Sequence, residues 1–333
     1  MRLGAVSYLN MLPYFLDDSE VICFPSPAQL NENIDSNLDL VGCSSAVFGL
    51  RSGCHLVEGF GISAQSKVRS VFLAPHEVKA SQGKTWDEVR CRVFQPPPDW
   101  MSKLGLASPG SAPVAIRVFS NAHSAQSQWL FQCLFAYSGF RLEFWNTSDS
   151  ILSLPTPEFE EWLISEKGGE YAPRDNAITA RLFIGDLALR NWFERTESQR
   201  ERCLDLADLW NEWTGLPCVF AGWCTRSTHV NQAEVRAKIE LKLLKWEGLS
   251  SPEKRLAIGR YVKTHPQTNL KPLDLDFLSD YLDGIRFRFS TREEQTWSYY
   301  RQMWKSYLEM DAFKNVNFLP NKKNPAGKSL VLS

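Results

Sequence analysis

The chain has 333 residues, more than one hydrophobic core usually serves, and its 37 Lys+Arg against 38 Asp+Glu leave a formal charge of −1; two lobes are expected and a basic nucleic-acid binder is disfavoured. With 44% hydrophobic residues, 12 Trp and 20 Phe there is ample apolar surface to bury, which excludes disorder over most of the length. No apolar run reaches the ~18–20 residues of a membrane helix, and the opening Met1-Arg2-Leu3-Gly4-Ala5-Val6-Ser7 turns polar too soon for a signal peptide, so a cytoplasmic protein without membrane contact is expected.

Short β-rich runs at 3–7, 38–43, 68–73, 114–119, 181–185 and 217–223 alternate with helical stretches, the pattern of an α/β protein. Trp129, Leu130, Cys133 and Leu134 fall at helical spacing and predict a helix over 125–137, with Ser124 as its N-cap. Residues 95–113, with their triple proline, and 154–176, with prolines at 155, 157 and 173, read as surface excursions. From Asn231 the pattern is helical almost throughout. Ser251-Pro252-Glu253 reads as N-cap, first-turn proline and early acid, and Thr291 and Glu294 stand at capping-box spacing. In the helix that follows, Trp297, Tyr300, Trp304, Tyr307 and Leu308 form a stripe expected to be a buried packing face. The lysine- and asparagine-rich end from about 314 reads as a mobile tail.

The eight cysteines contain no C-x-x-C and mostly sit among apolar neighbours, and the five histidines are scattered. Disulfides and a metal site are therefore not expected. No Walker or G-x-G-x-x-G fingerprint is present, so no nucleotide cofactor is expected either.

Candidate chemistry lies at strand ends. Asn10 follows the first strand, where ligands sit in open α/β sheets, and offers both a donor and an acceptor; a turn or capping asparagine before Pro13 is the alternative. Ser44-Ser45 follows another strand, with helix capping as its alternative role. Ser70 falls inside the apolar run 68–73, where a hydroxyl needs a buried partner or a cleft. The segment Asn121 to Ser127 feeds a helix N-terminus whose backbone N–H groups suit a carboxylate or phosphate. Within it His123 reads as a loop histidine. Asp186, closing a strand before Leu187-Ala188-Leu189-Arg190, is most simply an N-cap.

In register, Gly4-Ala5-Val6-Ser7-Tyr8-Leu9-Asn10 with Leu12-Pro13, Gly61-Ile62-Ser63 leading to Ser70-Val71, Leu182 to Leu189, Leu206 to Trp210 and Trp213 to Trp223 together resemble chorismate dehydratase, which opens the futalosine route to menaquinone. The chain departs from that pattern at Met11, Gln126 and Gly222. The resemblance implies a two-lobed α/β fold like the type 2 periplasmic binding proteins, with a ligand cleft between lobes: 1–73 and 219–333 as lobe one, 74–218 as lobe two. It implies a lyase that dehydrates chorismate, a small-molecule partner, to 3-[(1-carboxyvinyl)oxy]benzoate, with Asn10 and Ser70 as catalytic residues. Ser45, Ser124, Gln126, Ser127 and Asp186 are the implied substrate-binding residues. Since the matched motifs bring amides and hydroxyls rather than a tuned base, the expected proton acceptor is the substrate's own enolpyruvyl carboxylate. A non-catalytic protein of the same fold that binds a small carboxylate is the alternative.

Overall fold

The structure is a computed structural model, and it describes residues 1–16, 21–76, 85–95, 114–121, 123–135, 138, 140–164, 178–265, 270–271 and 273–309. Residues 96–113 of the excursion expected over 95–113, and the expected tail from 314, lie outside the described residues. In chain order the strands are β1 (Arg2–Val6), β2 (Val21–Phe24), β3 (Leu40–Ser45), β4 (His55–Ala64), β5 (Val71–Pro75), β6 (Val114–Ser120), β7 (Phe140–Asn146), β8 (Ile178–Ile184), β9 (Leu204–Asp205), β10 (Cys218–Thr225) and β11 (Arg286–Arg288). The chain divides into two compact units: unit 1 is 1–68 with 215–301, and unit 2 is 69–214 with residues from Gln302 onward. Against the sequence-based boundaries this assigns 69–73 to unit 2, 215–218 to unit 1, and the end of the last helix to unit 2.

Unit 1 is built on a six-stranded sheet in the order β11-β4-β10-β3-β1-β2. β1 runs parallel to β2 and β3, while β10 is antiparallel to both β3 and β4. Helix Pro27–Ser36 starts at Ser26, whose hydroxyl accepts from the Gln29 amide at 3.3 Å, and buries Leu30 and Ile34. Gly61 of the Gly61-Ile62-Ser63 motif owes its identity to space: a Cβ there would stand 2.3 Å from the Ala221 carbonyl oxygen and 2.2 Å from the Phe289 ring. Ser63 of the same motif donates to the buried Glu293 carboxylate at 3.3 Å. Burial alone would raise the Glu293 pKa, but hydrogen bonds from Ser290 and from Arg286 hold it below its ordinary value.

The helical C-terminal part is capped one residue earlier than the sequence spacing suggests. Ser250, not Ser251, caps helix Ser251–Thr264 in a capping box with Glu253. In helix Thr291–Glu309 the Glu293 carboxylate accepts from both the amide and the hydroxyl of Ser290, in place of a Thr291–Glu294 pair. Either serine is a competent cap, so the phase is decided by which apolar face must be buried. Trp297 and Tyr300 are buried, as the aromatic stripe predicts.

Unit 2 carries a five-stranded sheet in the order β7-β6-β8-β5-β9, in which β6 is parallel to β7 and β8, and β5 is antiparallel to β8 and β9. Two of its tryptophans tie distant segments together through their indole N–H groups: Trp86 donates to the Arg202 carbonyl at 2.6 Å and Trp213 to the Val93 carbonyl at 2.7 Å. Part of the expected 154–176 excursion is a helix, Thr156–Ile164. Its Pro157 sits in the first turn, where a missing N–H costs no hydrogen bond.

Candidate functional site

In unit 1 the first strand ends at Val6 and the chain turns through a single 3-10 turn, Leu9–Met11, which carries Asn10. The Asn10 Oδ1 atom is buried and has no hydrogen-bond partner among the described residues. A buried acceptor in that state calls for a donor from water or from a ligand. On the neighbouring strand Ala5 stands opposite Cys43, so Ser7 and Ser45 emerge from the same sheet edge. Ser45 ends β3 and caps the short helix Ala46–Gly49, accepting from the Phe48 amide at 3.4 Å. Ser44, buried beside it, donates its hydroxyl to Asn31 Oδ1.

In unit 2 the strand directions bring the remaining candidates to one edge. β8 ends at Ile184, β6 runs parallel to it and ends at Ser120, and β5 runs antiparallel and therefore begins at that edge. Ser70 precedes β5, Asp186 follows β8, and Ser124, Gln126 and Ser127 follow β6 at the start of helix Ala125–Phe135. The closest link is direct: the Gly185 amide donates to the Ser70 carbonyl at 2.8 Å.

Ser70 is 4% exposed, and it does not lie inside a strand as the run 68–73 suggests. Arg69 adopts φ +64°, a left-handed conformation that ends extended structure, so β5 starts only at Val71. The Arg69 amide donates to the Asp205 carboxylate at 2.7 Å, which fixes this turn. Asp205 also accepts from the amides of Ala207 (3.0 Å) and Asp208 (3.4 Å) at the start of helix Leu206–Thr214.

Asp186 is not the N-cap that its sequence position suggests. Helix Gly185–Glu194 begins two residues earlier, with Ile184 at the cap position and Gly185 at φ +60°. The side chain of Asp186 is buried in the first turn, where the helix dipole favours a carboxylate.

The Ser124 hydroxyl is committed. It donates to the Asn121 carbonyl at 2.6 Å and accepts from Gln128 Nε2 at 2.8 Å, while Gln128 Nε2 also reaches Ser120 Oγ at 2.9 Å. Asn121 shapes the loop by accepting from the His123 amide at 3.2 Å and donating to Asp149 at 2.9 Å. With its single proton used, Ser124 supports the helix start, and the backbone N–H groups of the first turn remain the feature that suits an anion. Gln126 and Ser127 are buried in that turn, whereas His123 is exposed.

Sequence reasoning passed over a set of buried polar groups on one face of the unit 2 sheet. Arg117 on β6, Arg181 on β8 and His76 just after β5 are all nearly fully buried. The Arg181 guanidinium donates to the carbonyls of Leu152 (3.2 Å) and Leu154 (2.6 Å) and lies 4.7 Å over the Phe159 ring. Burial and the nearby Arg195 lower its pKa to about 10. His76 packs edge-on against Phe159 at 5.2 Å, and burial, with Arg181, pushes its pKa down to about 4. Unlike most of the cysteines, Cys23 and Cys91 are exposed, and every cysteine is a free thiol.

Comparison with known proteins agrees with this architecture. Residues 158–306 match the family model described as menaquinone biosynthesis. That stretch contains the Leu182 to Leu189 and Leu206 to Trp223 motifs and bears out the family resemblance they carry. Among solved structures, protein AF1704 from Archaeoglobus fulgidus superposes with a TM-score of 0.55 at 12% identity, covering 93% of this chain and 98% of that one. The periplasmic aliphatic sulphonate binding protein SsuA from Escherichia coli gives a TM-score of 0.52 at 9% identity, covering 92% and 87%. The alkanesulfonate-binding protein SsuA from Xanthomonas axonopodis pv. citri, bound to MOPS, gives 0.51 at 12%, covering 96% and 94%. The expected fold class is thereby borne out: a mixed α/β chain of two sheet-bearing units, similar to the periplasmic binding proteins. Among the described residues no helix is long and apolar enough to cross a membrane.

Proposed function

We propose that this chain, which matches a menaquinone-biosynthesis family over residues 158–306, is a cytoplasmic lyase that dehydrates chorismate to 3-[(1-carboxyvinyl)oxy]benzoate. The observation that carries the reading is placement. Asn10 and Ser45 stand at one edge of the unit 1 sheet, and Ser70, Ser124, Gln126, Ser127 and Asp186 at one edge of the unit 2 sheet. Strand ends are where α/β proteins take their ligands, and three of the motifs resembling chorismate dehydratase, Gly4 to Asn10, Ser70-Val71 and Leu182 to Leu189, fall on these ends.

The proposed chemistry needs positioning more than a strong base. The ring carbon bearing the enolpyruvyl ether loses its proton to the substrate's own enolpyruvyl carboxylate. The freed C–H pair becomes a ring π bond, the neighbouring C–O bond breaks, and the departing hydroxyl takes up the proton the carboxylate has removed and leaves as water. Aromatisation drives the step. The buried Oδ1 of Asn10 accepts the substrate hydroxyl's proton in a hydrogen bond and orients that group. Ser70 holds the ring, and the first turn of helix Ala125–Phe135 binds a carboxylate through its N–H groups. Asp186 is kept for positioning, since an unpaired carboxylate facing a dianion would repel it.

The test is incubation of the purified protein with chorismate, following loss of the diene and gain of the aromatic product. Turnover lowered about 10- to 100-fold by Asn10→Ala in a folded protein supports the reading. Chorismate that binds and is returned unchanged would replace it with the non-catalytic carboxylate-binding alternative.

A further inference from the structure

The residues 51–54 form a turn closed by the Cys54 amide donating to the Arg51 carbonyl at 3.1 Å, with Gly53 at φ +75°. Cys54 then leads directly into β4. On the paired strand Cys224 stands opposite Leu56 and Thr225 opposite His55, which puts Cys54 diagonally across from Cys224 on the same side of the sheet. Both sulfurs pack against one apolar cluster with Val6, Phe24 and Phe48, Cys224 fully buried and Cys54 half-buried at its margin. The two thiols are therefore near neighbours on one face of the sheet.

The surroundings of Cys54 are cationic. Arg226 donates to Asp35 at 2.7 Å and to the Ser52 carbonyl within the same turn, and Arg51 reaches Asp35 at 3.3 Å. Both guanidinium groups lie over the Phe48 ring, at 5.0 and 5.6 Å. Two cations therefore share a single carboxylate beside the thiol. The neighbouring Cys224 thiol, with Arg226 and Arg51, lowers the Cys54 pKa, whereas the neighbouring Cys54 and burial raise that of Cys224. Elsewhere burial pushes thiols upward, Cys43 strongly and Cys133 to about 12.

We propose that Cys54 and Cys224 form an oxidation site in unit 1, Cys54 reacting with hydrogen peroxide and Cys224 resolving the product to a disulfide. The Cys54 thiolate attacks one peroxide oxygen; the S–O bond forms, the O–O bond breaks and hydroxide leaves, so sulfur is oxidised to a sulfenic acid and peroxide reduced. Cys224 then attacks that sulfur. The S–S bond forms, the S–O bond breaks, and the hydroxide takes up the Cys224 proton and departs as water. The Gly53 turn is the element that moves to bring the sulfurs to bonding distance.

The experiment treats the full-length protein with hydrogen peroxide, with and without dimedone, then alkylates remaining thiols and maps peptides by mass spectrometry. The expected result in the unaltered protein is a Cys54–Cys224 linked peptide pair and loss of both free thiols. Cys224→Ala, or Cys224→Ser if the alanine variant does not fold, accumulates the dimedone adduct on Cys54. Cys54→Ser gives neither adduct on Cys224 nor the linked pair. Full alkylation of Cys54 after peroxide, or oxidation that falls first on the exposed Cys23 or Cys91, overturns the proposal.

Discussion

The Gly185 amide and the Ser70 carbonyl, 2.8 Å apart, tie the start of β5 to the end of β8. The bond uses the Ser70 main chain and leaves its side chain out of the tie. Ser70→Ala therefore keeps the anchoring bond, and the expected outcome is a Tm close to that of the parent with kcat for chorismate dehydration reduced about 10- to 100-fold, or ~1.4–2.7 kcal/mol of transition-state stabilisation. Asn10→Ala is expected to act likewise. Steady-state kinetics beside thermal melts check this, and an unchanged kcat in both variants would remove these residues from the chemistry.

Ser124 and Ser127 are expected to separate. The Ser124 hydroxyl donates to the Asn121 carbonyl and accepts from the Gln128 side chain, so Ser124→Ala should cost about 1 kcal/mol of stability. Ser127 lies in the first turn of the same helix, outside that network. Ser127→Ala should leave the urea midpoint nearly unchanged and raise KM for chorismate several-fold. The reverse pattern, a KM effect from Ser124 alone, would place the anion contact on the Ser124 hydroxyl. His123, exposed on the same loop, should tolerate alanine with turnover and pH profile retained; complete loss of the chemical step in that variant would make it the base.

Asp205 is 2% exposed and accepts from the amides of Arg69, Ala207 and Asp208. It holds a left-handed arginine and a helix start together. Asp205→Ala leaves those donors buried without their acceptor and should cost about 2–4 kcal/mol in urea unfolding. Asp205→Asn keeps one acceptor oxygen and should cost less. Equal stability of all three proteins would show that the Arg69 turn is held by something else.

How much of this was legible in the sequence depends on how local each signal is. The strands at 3–7 and 114–119 are short, mostly apolar runs, and the structure has β1 and β6 there. β4 was missed as a strand because Glu58, Gly59 and Gly61 interrupt its pattern and its pairing with β10 is irregular. The left-handed Arg69 has no local signature, since only glycine and asparagine commonly advertise that conformation. Arg117 and Arg181 illustrate a different limit. In an alternating strand a charge reads as facing water, but helix Thr156–Ile164 lays Phe159 against Arg181 and Phe119. Whether a sheet's second face is covered is a property of the tertiary fold, and here the helix that covers it starts among prolines that read as a loop.

That covered face gives the protein a pH response. His76 has a folded-state pKa pushed down to about 4 by burial and Arg181, whereas the unfolded chain titrates near the ordinary histidine value of ~6.5. Below that value the unfolded state binds a proton that the folded state does not, so stability present above pH ~6.5 falls as the pH drops toward about 4. By about pH 5 the loss from this one group should be about 2 kcal/mol. His76→Leu removes the titrating ring while keeping an apolar contact for Phe159. Urea midpoints measured at about pH 7.5 and 5 should therefore fall more steeply in the parent than in the variant. Parallel slopes would mean that the buried imidazole is not what senses acid, and would move the assignment to the carboxylates instead.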